Sequence, residues 1–299
     1  MPLPAPPDDP AAVARLLALL DLAALGGDRF EGAAARGGWQ RVFGGQVVAQ
    51  ALVAASRTVD ADRLAHSLHA YFIRPGDPAV PIVYAVERTR DGRSFATRRV
   101  VAAQQGRAIF DMVASFQTGE PGLAHAAAMP AVAAPETLPS EYDEMRRTWD
   151  ATPEPWRTLW GERDRPFEFR GVEGGDGFTT AKRPPVAHNW FRLAAPVAAD
   201  PALARALLAY ASDFSLLDTC LLPHGVPWSD PALQVASLDH ALWFHGDPPL
   251  ADWLLFAQDS PVSGGGRGLN RGTIFARDGR LIASAVQEGL IRYRAPDGA

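Results

Sequence analysis

Three polar residues interrupt the apolar segment LQVASLDHALWFHGD (residues 233–247): Ser237, Asp239 and His240. The segment alternates like a strand that buries one face, and such strands seldom carry unpaired polar groups. A serine, a histidine and an aspartate are also the residue types of a nucleophilic triad. The spacing argues against a triad, because strand alternation turns Ser237 and His240 to opposite faces and the chain contains no G-x-S-x-G motif. We therefore interpret His240 as a structural residue.

Asp213 is the better candidate for acid–base chemistry. It lies in the segment AYASDFSLL, whose apolar residues argue against an ordinary surface aspartate. A carboxylate can remove a proton from an attacking water, while a neutral hydroxyl and an amide can orient that water. Ser237 offers such a hydroxyl. The residues alone do not identify the amide, since Gln287 in AVQEG is no better a candidate than its neighbour Glu288.

Composition excludes several classes of function. With 29 Lys and Arg against 34 Asp and Glu, the net charge is −5, so the chain as a whole does not attract nucleic acid. The single cysteine, Cys220, excludes an internal disulfide and a cysteine-based zinc cluster. The apolar stretch near the N-terminus is interrupted by Arg15 and Asp21, and no secretory signal precedes it. We expect no membrane span and a cytoplasmic location.

Two further patterns do not indicate a ligand site. The glycine-rich run at 264–268 lacks both G-x-G-x-x-G and a Walker lysine, and it precedes a strand-like segment, so we expect no nucleotide cofactor. Histidines on the predicted strands are three or five positions apart and therefore face opposite ways, which argues against a metal. These histidines are His66, His69, His240 and His245.

The pattern along the chain predicts α+β elements in two sets. Helices are predicted over 11–25, 42–59, 141–149 and 201–222, and the second of these is apolar nearly all round. Strands are predicted over 64–74, 82–89, 94–103 and 109–117, and then over 187–193, 233–245, 253–259, 268–277 and 281–292. Each set therefore combines a helix with an antiparallel meander.

The second set repeats the first at an offset of about 170 residues. Ser67-Leu68 reappears as Ser237-Leu238, and Gly76-Asp77 reappears as Gly246-Asp247. We predict a first repeat over 1–118, a linker over 119–165 and a second repeat over 166–299 that carries the site. At this offset the counterpart of Asp213 is Gln46, so we expect one site per chain.

Seven segments resemble the acyl-CoA thioesterase II family in order and spacing over residues 41–294: FGGQVVAQAL, HSLHAYFIRPGD, RDGRSFATRRV, LLAYASDFSLLDTCLLPHG, ASLDHALWFH, RGLNRG and AVQEGLIR. The resemblance implies a double hot-dog fold, in which two tandem repeats each wrap an antiparallel sheet around a central helix. It also implies hydrolysis of acyl-CoA to free fatty acid and CoA, without a metal or a cofactor.

The resemblance assigns roles to three residues. The family's aspartate falls on Asp213 and its glutamine on Gln287, while Ser237 stands where members of the family usually have threonine. Serine keeps the hydroxyl and lacks the methyl group that stiffens χ1. We expect these residues to hold a water that attacks the thioester directly, because a serine nucleophile needs an adjacent base that accepts its proton.

Arg267 and Arg271 are candidates for binding CoA phosphates, and surface ion pairing is an equal alternative for both. Gly44 and Gly45 offer backbone N–H groups at a helix start for the thioester oxygen. A hydratase on the same scaffold and a non-catalytic acyl-CoA-binding protein are the competing functions. Exposed sheet edges also predict a homodimer or homotetramer.

Overall fold

The computed structural model of the chain describes residues 9–33, 41–174 and 180–294. The helices of this part are α1 (Pro10–Leu20), α2 (Gly44–Ser56), α3 (Glu141–Thr148), α4 (Trp156–Glu162) and α5 (Pro201–Ala211). The strands are β1 (Ala23–Gly26), β2 (Arg29–Gly32), β3 (Arg63–Phe72), β4 (Ile82–Asp91), β5 (Phe95–Gln104), β6 (Arg107–Thr118), β7 (Phe167–Gly171), β8 (Val186–Leu193), β9 (Leu233–Ser237), β10 (Asp239–Phe244), β11 (Leu254–Gly264), β12 (Arg267–Ala276) and β13 (Leu281–Tyr293).

One antiparallel sheet runs through both halves of the described chain. Its order is β1-β2-β4-β5-β6-β3-β10-β13-β12-β11-β8-β7, and β9 also pairs with β13. Strands β3 and β10 join the halves, with Ala241 opposite His69. On either side of that junction the strand order is mirrored, since β6, β5 and β4 follow β3 while β13, β12 and β11 follow β10. This is the expected α+β architecture.

Helix α2 is buried on all sides because it lies between the sheet and α5. Val48, Ala49 and Leu52 have no exposed surface, which explains why this helix carries no charged residue. Its first turn packs tightly on the last turn of α5, where a Cβ on Gly45 would lie 2.5 Å from the carbonyl oxygen of Tyr210. The start of α2 is thereby brought to the end of α5.

The predicted helix over 201–222 is shorter than its sequence suggests. Asp200 caps it and Pro201 begins it, as a proline at a helix start should. It ends at Ala211, so the prediction that Asp213 lies within the helix is wrong. A turn follows, and a short 3₁₀-helix covers Leu217–Leu221. Tertiary contacts of the turn outweigh the helix-forming composition.

The predicted strand over 233–245 is interrupted by a β-bulge between β9 and β10. Ser237 pairs with Gly289 and Ala241 with Val286, so four steps along this strand face three along β13. The Asp239 carboxylate stabilises the bulge by accepting the backbone N–H of Glu288 (2.7 Å). The extra residue reverses the alternation, which places Ser237 and His240 on the same face. The expectation that they face opposite ways is wrong.

Other differences concern the ends of elements and the segment between the halves. The first helix ends at Leu20 because Asp21 leaves the helical conformation, and β1 begins at Ala23, where helix was predicted. Residues 119–165 contain α3, with a capping box of Ser140 and Asp143, and also α4, which the sequence did not predict. The division into two repeats and a linker at these boundaries stays a prediction. No helix in the described ranges is long and apolar enough to cross a membrane.

Candidate active site

Asp213 lies in the turn after α5 and its carboxylate meets the start of α2. Its Oδ1 accepts a hydrogen bond from Nε2 of Gln287 (2.5 Å), and the backbone N–H of Gly45 donates to the same carboxylate. A Cβ on Gly44 would lie 2.6 Å from Oδ2, so glycine is required for this approach. The side chain is only 4% exposed. A carboxylate is therefore held against the positive end of a helix dipole.

Burial dominates the acidity of this carboxyl group. It raises the pKa of Asp213 to about 6, although the hydrogen bonds from Gln287 and Gly45 act in the opposite direction. A base with a pKa near 6 is ionised at neutral pH and still accepts a proton readily. A carboxylate of this basicity can remove a proton from a water molecule that reaches it.

Three polar side chains without exposed surface stand side by side beneath this carboxylate: His240, Gln287 and Asn270. Gln287 is paired with Asn270 on β12, and the register of β10 with β13 places His240 on its other side. Nε2 of Gln287 donates to Asp213, while its Oε1 has no hydrogen-bond partner among the described residues. This amide oxygen is itself buried.

Ser237 shares the face of the sheet with Gln287. It is paired with Gly289, two residues beyond Gln287 on β13, and such diagonal neighbours are about 7–8 Å apart. Gly289 leaves room for Leu217, whose Cδ1 would lie 2.1 Å from a Cβ at that position. Ser237 and Asp213 line the same cavity. The structure therefore brings Asp213 and Ser237 to one cavity and places Gln287 against Asp213, although Gln287 is not among the residues that line the cavity.

The cavity has a volume of about 1040 Å³ and extends from this site between α1, α3, α4 and the turns of the second half. Aromatic side chains form much of its wall; Phe43 packs edge-on against Tyr210 and tilted against Phe214. The guanidinium of Arg163 lies 4.6 Å over the Phe214 ring. An elongated, largely apolar ligand with an anionic part fits such a wall.

A second buried carboxylate of the cavity, Asp218, was not identified from the sequence. Burial raises the pKa of Asp218 to about 7, while Arg163 and the indole of Trp228 favour its ionised form. Nothing in its local sequence, SLLDTCLL, distinguishes it from an ordinary helix residue. Only the 3₁₀ conformation of this segment directs it into the cavity.

Arg267 and Arg271 lie elsewhere. Both are on the outer face of β12, with more than half of each side chain exposed, and neither is among the residues that line the cavity. Arg267 is paired with Glu288 (3.0 Å), and Arg271 is paired with Asp259. This placement corresponds to the surface ion pairs that were the alternative interpretation. A role in CoA binding stays a prediction.

The first half of the chain holds a different set of residues at the equivalent place. The β5–β6 ladder has the register of the β12–β13 ladder, so Arg98 and Ala114 stand where Asn270 and Gln287 stand in the second half. Alanine offers no amide. Arg98 is 1% exposed, and its Nε donates to the hydroxyl of Thr58 (2.9 Å).

Thr58 is the structural counterpart of Asp213, because each directly follows the C-cap residue of its central helix. This corrects the counterpart expected from the sequence offset: Gln46 lies in the first turn of α2 and bonds to Gln50 within the helix. The described residues of the first half therefore offer no second pair of buried carboxylate and amide. That observation supports one site per chain.

The other candidates for chemistry are engaged elsewhere. Asp239 holds the bulge through the backbone of Glu288, and Nε2 of His240 lies 2.9 Å from the hydroxyl of Ser212, so no triad forms with Ser237. Cys220 is buried, and burial raises the pKa of its thiol to about 11. Within the described ranges, no group of three or more potential ligands could hold a metal ion.

Comparison with known proteins gives a consistent result. A family model described as acyl-CoA thioesterase matches residues 163–290, and one described as the acyl-CoA thioesterase N-terminal domain matches residues 35–117. The chain is 41% identical to acyl-CoA thioesterase 2 of Haemophilus influenzae, over 93% of this chain and 97% of the relative. It is 37% identical to human acyl-coenzyme A thioesterase 8, over 97% of this chain and 92% of the relative.

Solved structures agree in fold. The crystal structure of an acyl-CoA thioesterase II from Mycobacterium marinum superimposes with a TM-score of 0.77 at 41% identity, covering 95% of this chain and all of that chain (100%). A hot-dog protein from Alicyclobacillus acidocaldarius, at 20% identity, superimposes with a TM-score of 0.75 over 94% of this chain and 98% of its own. The α+β architecture is thus that of a double hot dog.

Proposed function

We propose a mechanism for this chain on the premise that it belongs to the acyl-CoA thioesterase II family and hydrolyses acyl-CoA thioesters. Asp213 acts as general base and removes a proton from a water as that water attacks the thioester carbonyl. Ser237 and Gln287 orient the water. The observation that carries the proposal is the buried contact between Asp213 and Gln287 at the wall of a cavity that Asp213 and Ser237 line.

Asp213 accepts a proton from the water and later returns it to the leaving group, so the reaction needs no other proton donor or acceptor. The water oxygen forms a bond to the acyl carbon, its proton passes to Asp213, and the bond from carbon to sulfur breaks. The departing CoA thiolate takes that proton, so the products are a free acid and a thiol. General-base assistance of this kind contributes about 10²–10⁴-fold to a rate.

The thioester oxygen needs a donor as negative charge develops on it. The two glycines at the start of α2 were expected to supply it, yet the N–H of Gly45 is directed at Asp213. We therefore propose that Gly45 holds the base and that the neighbouring N–H of Gly44 contacts the substrate. Both donors belong to one helix start, where N–H groups lack intrahelical acceptors.

The experiment that tests this function is a panel of acyl-CoA substrates of increasing chain length, with free CoA and free acid measured for each. A rapid-quench time course followed by mass spectrometry of the protein accompanies it. We expect hydrolysis without a burst of CoA and without an acyl group on Ser237. Saturable binding of acyl-CoA without turnover would instead favour a non-catalytic binding protein, and a stoichiometric acyl-enzyme would overturn direct attack by water.

A hydratase remains the second candidate because of one specific observation. A hydratase on this scaffold would use a paired aspartate and histidine, and the sequence has no histidine close to Asp213, the nearest along the chain being His224. In the structure Nδ1 of His240 lies 3.9 Å from Oδ1 of Asp213, so that argument against a hydratase no longer holds. Including 2-enoyl-CoA and 3-hydroxyacyl-CoA in the panel decides between the two, since only a hydratase interconverts them without releasing CoA.

Activity is expected to fall at acidic pH. The base must be ionised, and burial raises the pKa of Asp213 to about 6, so kcat/KM should be level above pH 7. Well below pH 6 it should decline about tenfold per pH unit, as for a single essential base. A pH profile from 4.5 to 8.5 with a saturating and a limiting acyl-CoA concentration measures this. A flat profile down to pH 5 would be inconsistent with Asp213 as the base.

Ser237 is expected to tolerate threonine but not alanine. Both hydroxyl residues can bond to the water, whereas alanine leaves that water and its other partners short of one hydrogen bond, at about 1–3 kcal/mol. We therefore expect Ser237→Thr within about threefold of wild type and Ser237→Ala reduced by about 10- to 100-fold in kcat. If Ser237→Ala matches wild type, the serine only fills space in the cavity wall.

The proposal also includes self-association of the chain and a location in the cytoplasm. At the junction of the two halves, Tyr71 on β3 is 66% exposed and Val113 on the adjacent strand β6 is 44% exposed, and neighbouring apolar side chains of this kind support a homodimer or homotetramer. The one cysteine among the described residues is a buried free thiol, which is compatible with a cytoplasmic location. The partner in the reaction is an acyl-CoA.

A further inference from the structure

His240 is the residue next to Asp213 that the mechanism has not used. It lies on β10 with no exposed surface, beside Gln287. His240, Gln287 and Asn270 together form a row of buried polar side chains, called the polar row below. Its Nδ1 is 3.9 Å from Oδ1 of Asp213, and its Nε2 is 2.9 Å from the hydroxyl oxygen of Ser212. The ring therefore connects the turn after α5 with the carboxylate that this turn carries.

The tautomer of this ring depends on where Ser212 directs its one hydroxyl proton. The hydroxyl oxygen lies 2.9 Å from the backbone carbonyl oxygen of Ala209 and 2.9 Å from Nε2 of His240. With the proton directed at the carbonyl, which can only accept, the oxygen of Ser212 accepts from Nε2–H of His240. A neutral imidazole with its proton on Nε2 has a lone pair on Nδ1, and Nδ1 has no hydrogen-bond partner among the described residues. Burial also lowers the pKa of His240 to about 4, so the ring stays neutral at physiological pH.

The lone pair of His240 differs from the other polar contacts of Asp213, because Gly45 and Gln287 are hydrogen-bond donors to the carboxylate. From α2 the N–H of Gly45 favours the ionised carboxylate, and from β13 the amide of Gln287 does the same. The charge of Asp213 raises the pKa of Asp218 on the 3₁₀-helix and the pKa of Tyr210 on α5. Arg163 acts on Asp218 and Tyr210 at the cavity wall. From β10, His240 places Nδ1 3.9 Å from Oδ1 of Asp213, and in the Nε2–H form this nitrogen is an acceptor.

We propose that His240 is a positioning residue for this site: Ser212 holds it as the Nε2–H tautomer, so that its Nδ1 lone pair faces Asp213 and favours the carboxylic acid over the carboxylate. This inference rests on the proposed role of Asp213 as general base. Two acceptors in a buried place repel each other, and a proton on Asp213 removes the repulsion. The acid that forms when water gives up its proton is thereby stabilised, which makes Asp213 a stronger base.

The discriminating variant is His240→Gln. A glutamine amide can reach the position of Nε2 and donate to Ser212, while it removes the lone pair at the position of Nδ1. We expect the acid limb of the kcat/KM profile to move down by roughly 0.5–1 pH unit, and kcat on the plateau to fall about 3- to 10-fold. Ser212→Ala should move the limb in the same direction, because without the serine the ring can place its proton on Nδ1 and stabilise the carboxylate.

His66→Gln is the matched control. His66 is also a strand histidine whose Nε2 bonds to a serine hydroxyl, that of Ser115 (2.8 Å), and it lies in the first half, outside the polar row. Its replacement should leave the acid limb in place. Thermal unfolding of all variants separates loss of fold from loss of basicity, and a merely structural role of His240 would lower stability and kcat without moving the limb.

A second measurement does not depend on activity. The ¹³Cγ signal of Asp213, assigned by comparison with Asp213→Asn, gives the carboxyl pKa directly, and ¹⁵N shifts of the His240 ring give its tautomer. We expect the carboxyl pKa to fall in His240→Gln and a Nε2–H ring in wild type. An unchanged carboxyl pKa, or a Nδ1–H ring, would overturn the inference. A fully active Asp213→Asn enzyme would instead overturn the proposed mechanism and leave the titration result standing.

Discussion

Asp213→Asn is expected to lower kcat by about 10²–10⁴-fold, because it removes the general base while keeping the size of the side chain. The amide can still accept the N–H of Gly45 and can meet Gln287 with that residue's amide turned over. Substrate binding should change little, so KM is expected to stay near its wild-type value. Steady-state kinetics on the folded variant decide the matter, and a loss smaller than about fivefold would remove Asp213 from the mechanism.

The same variant should be more stable than wild type at neutral pH. The folded state raises the pKa of Asp213 from 3.8 to about 6, so folding favours the protonated form and the ionised form weakens the fold. The difference corresponds to about 3 kcal/mol at pH 8, at about 1.4 kcal/mol per pH unit. The gain should shrink as the pH falls through 6 and vanish below 3.8. Urea unfolding at pH 8 and pH 4 measures it.

Asp218→Asn is the matched control for both measurements. Asp218 is a second buried carboxyl group of the same cavity, and burial raises its pKa to about 7. Its removal should also stabilise the protein at pH 8. The loss of kcat should remain below about tenfold, because the contact with Gln287 belongs to Asp213. Equal losses of kcat in both variants would mean that the charge of the cavity matters and the position of the base does not.

Gly45→Ala is expected to lower kcat/KM by about 10²-fold or more, through displacement of the base. A Cβ on Gly45 would lie 2.5 Å from the carbonyl oxygen of Tyr210, which is backbone and cannot rotate away. The start of α2 must then separate from the end of α5, and the N–H of Gly45 leaves the carboxylate of Asp213. Kinetics together with the melting temperature measure the effect, and we expect a stability loss of about 1–3 kcal/mol.

Gly264→Ala controls for the change from glycine to alanine. Gly264 ends β11, and a Cβ there meets no atom within 4 Å among the described residues. We expect kcat/KM within about twofold of wild type and stability within about 0.5 kcal/mol. If Gly45→Ala does not fold, Gly44→Ala also tests whether the start of α2 positions the base. Its Cβ would lie 2.6 Å from Oδ2 of Asp213. Wild-type kinetics in either glycine variant would contradict the role of this helix start.

The local pattern of apolar, polar and turn residues predicted most of the helices and strands. The apolar run from Gly44 to Ser56 predicted a helix without a solvent face, and the structure buries it between the sheet and α5. Alternation and turn residues predicted nine strands near their observed places. The four short or irregular elements β1, β2, β7 and α4 were missed, because their stability depends on neighbours that are distant in the sequence.

Local sequence pattern was least successful at the functional site, where it did not predict how the side chains are arranged. The residues alone did not favour Gln287 over Glu288; the family resemblance did, and the structure places Gln287 against Asp213. The direction in which His240 faces was predicted wrongly for one physical reason. Alternation in a strand holds only while the ladder is regular, and a single bulged residue held by Asp239 turns Ser237 and His240 to the same face.

The sequence by itself thus determined the family, the α+β class and the residue types available for hydrolysis, since these depend on composition, periodicity and motif order. Tertiary structure alone decided that α2 of the first half presents its start to an aspartate of the second half. It also decided that burial raises the pKa of Asp213 to about 6 and that Arg98 occupies the equivalent place in the first half. Burial, register and charge environment are properties of contacts between distant segments, and no single segment of the sequence contains them.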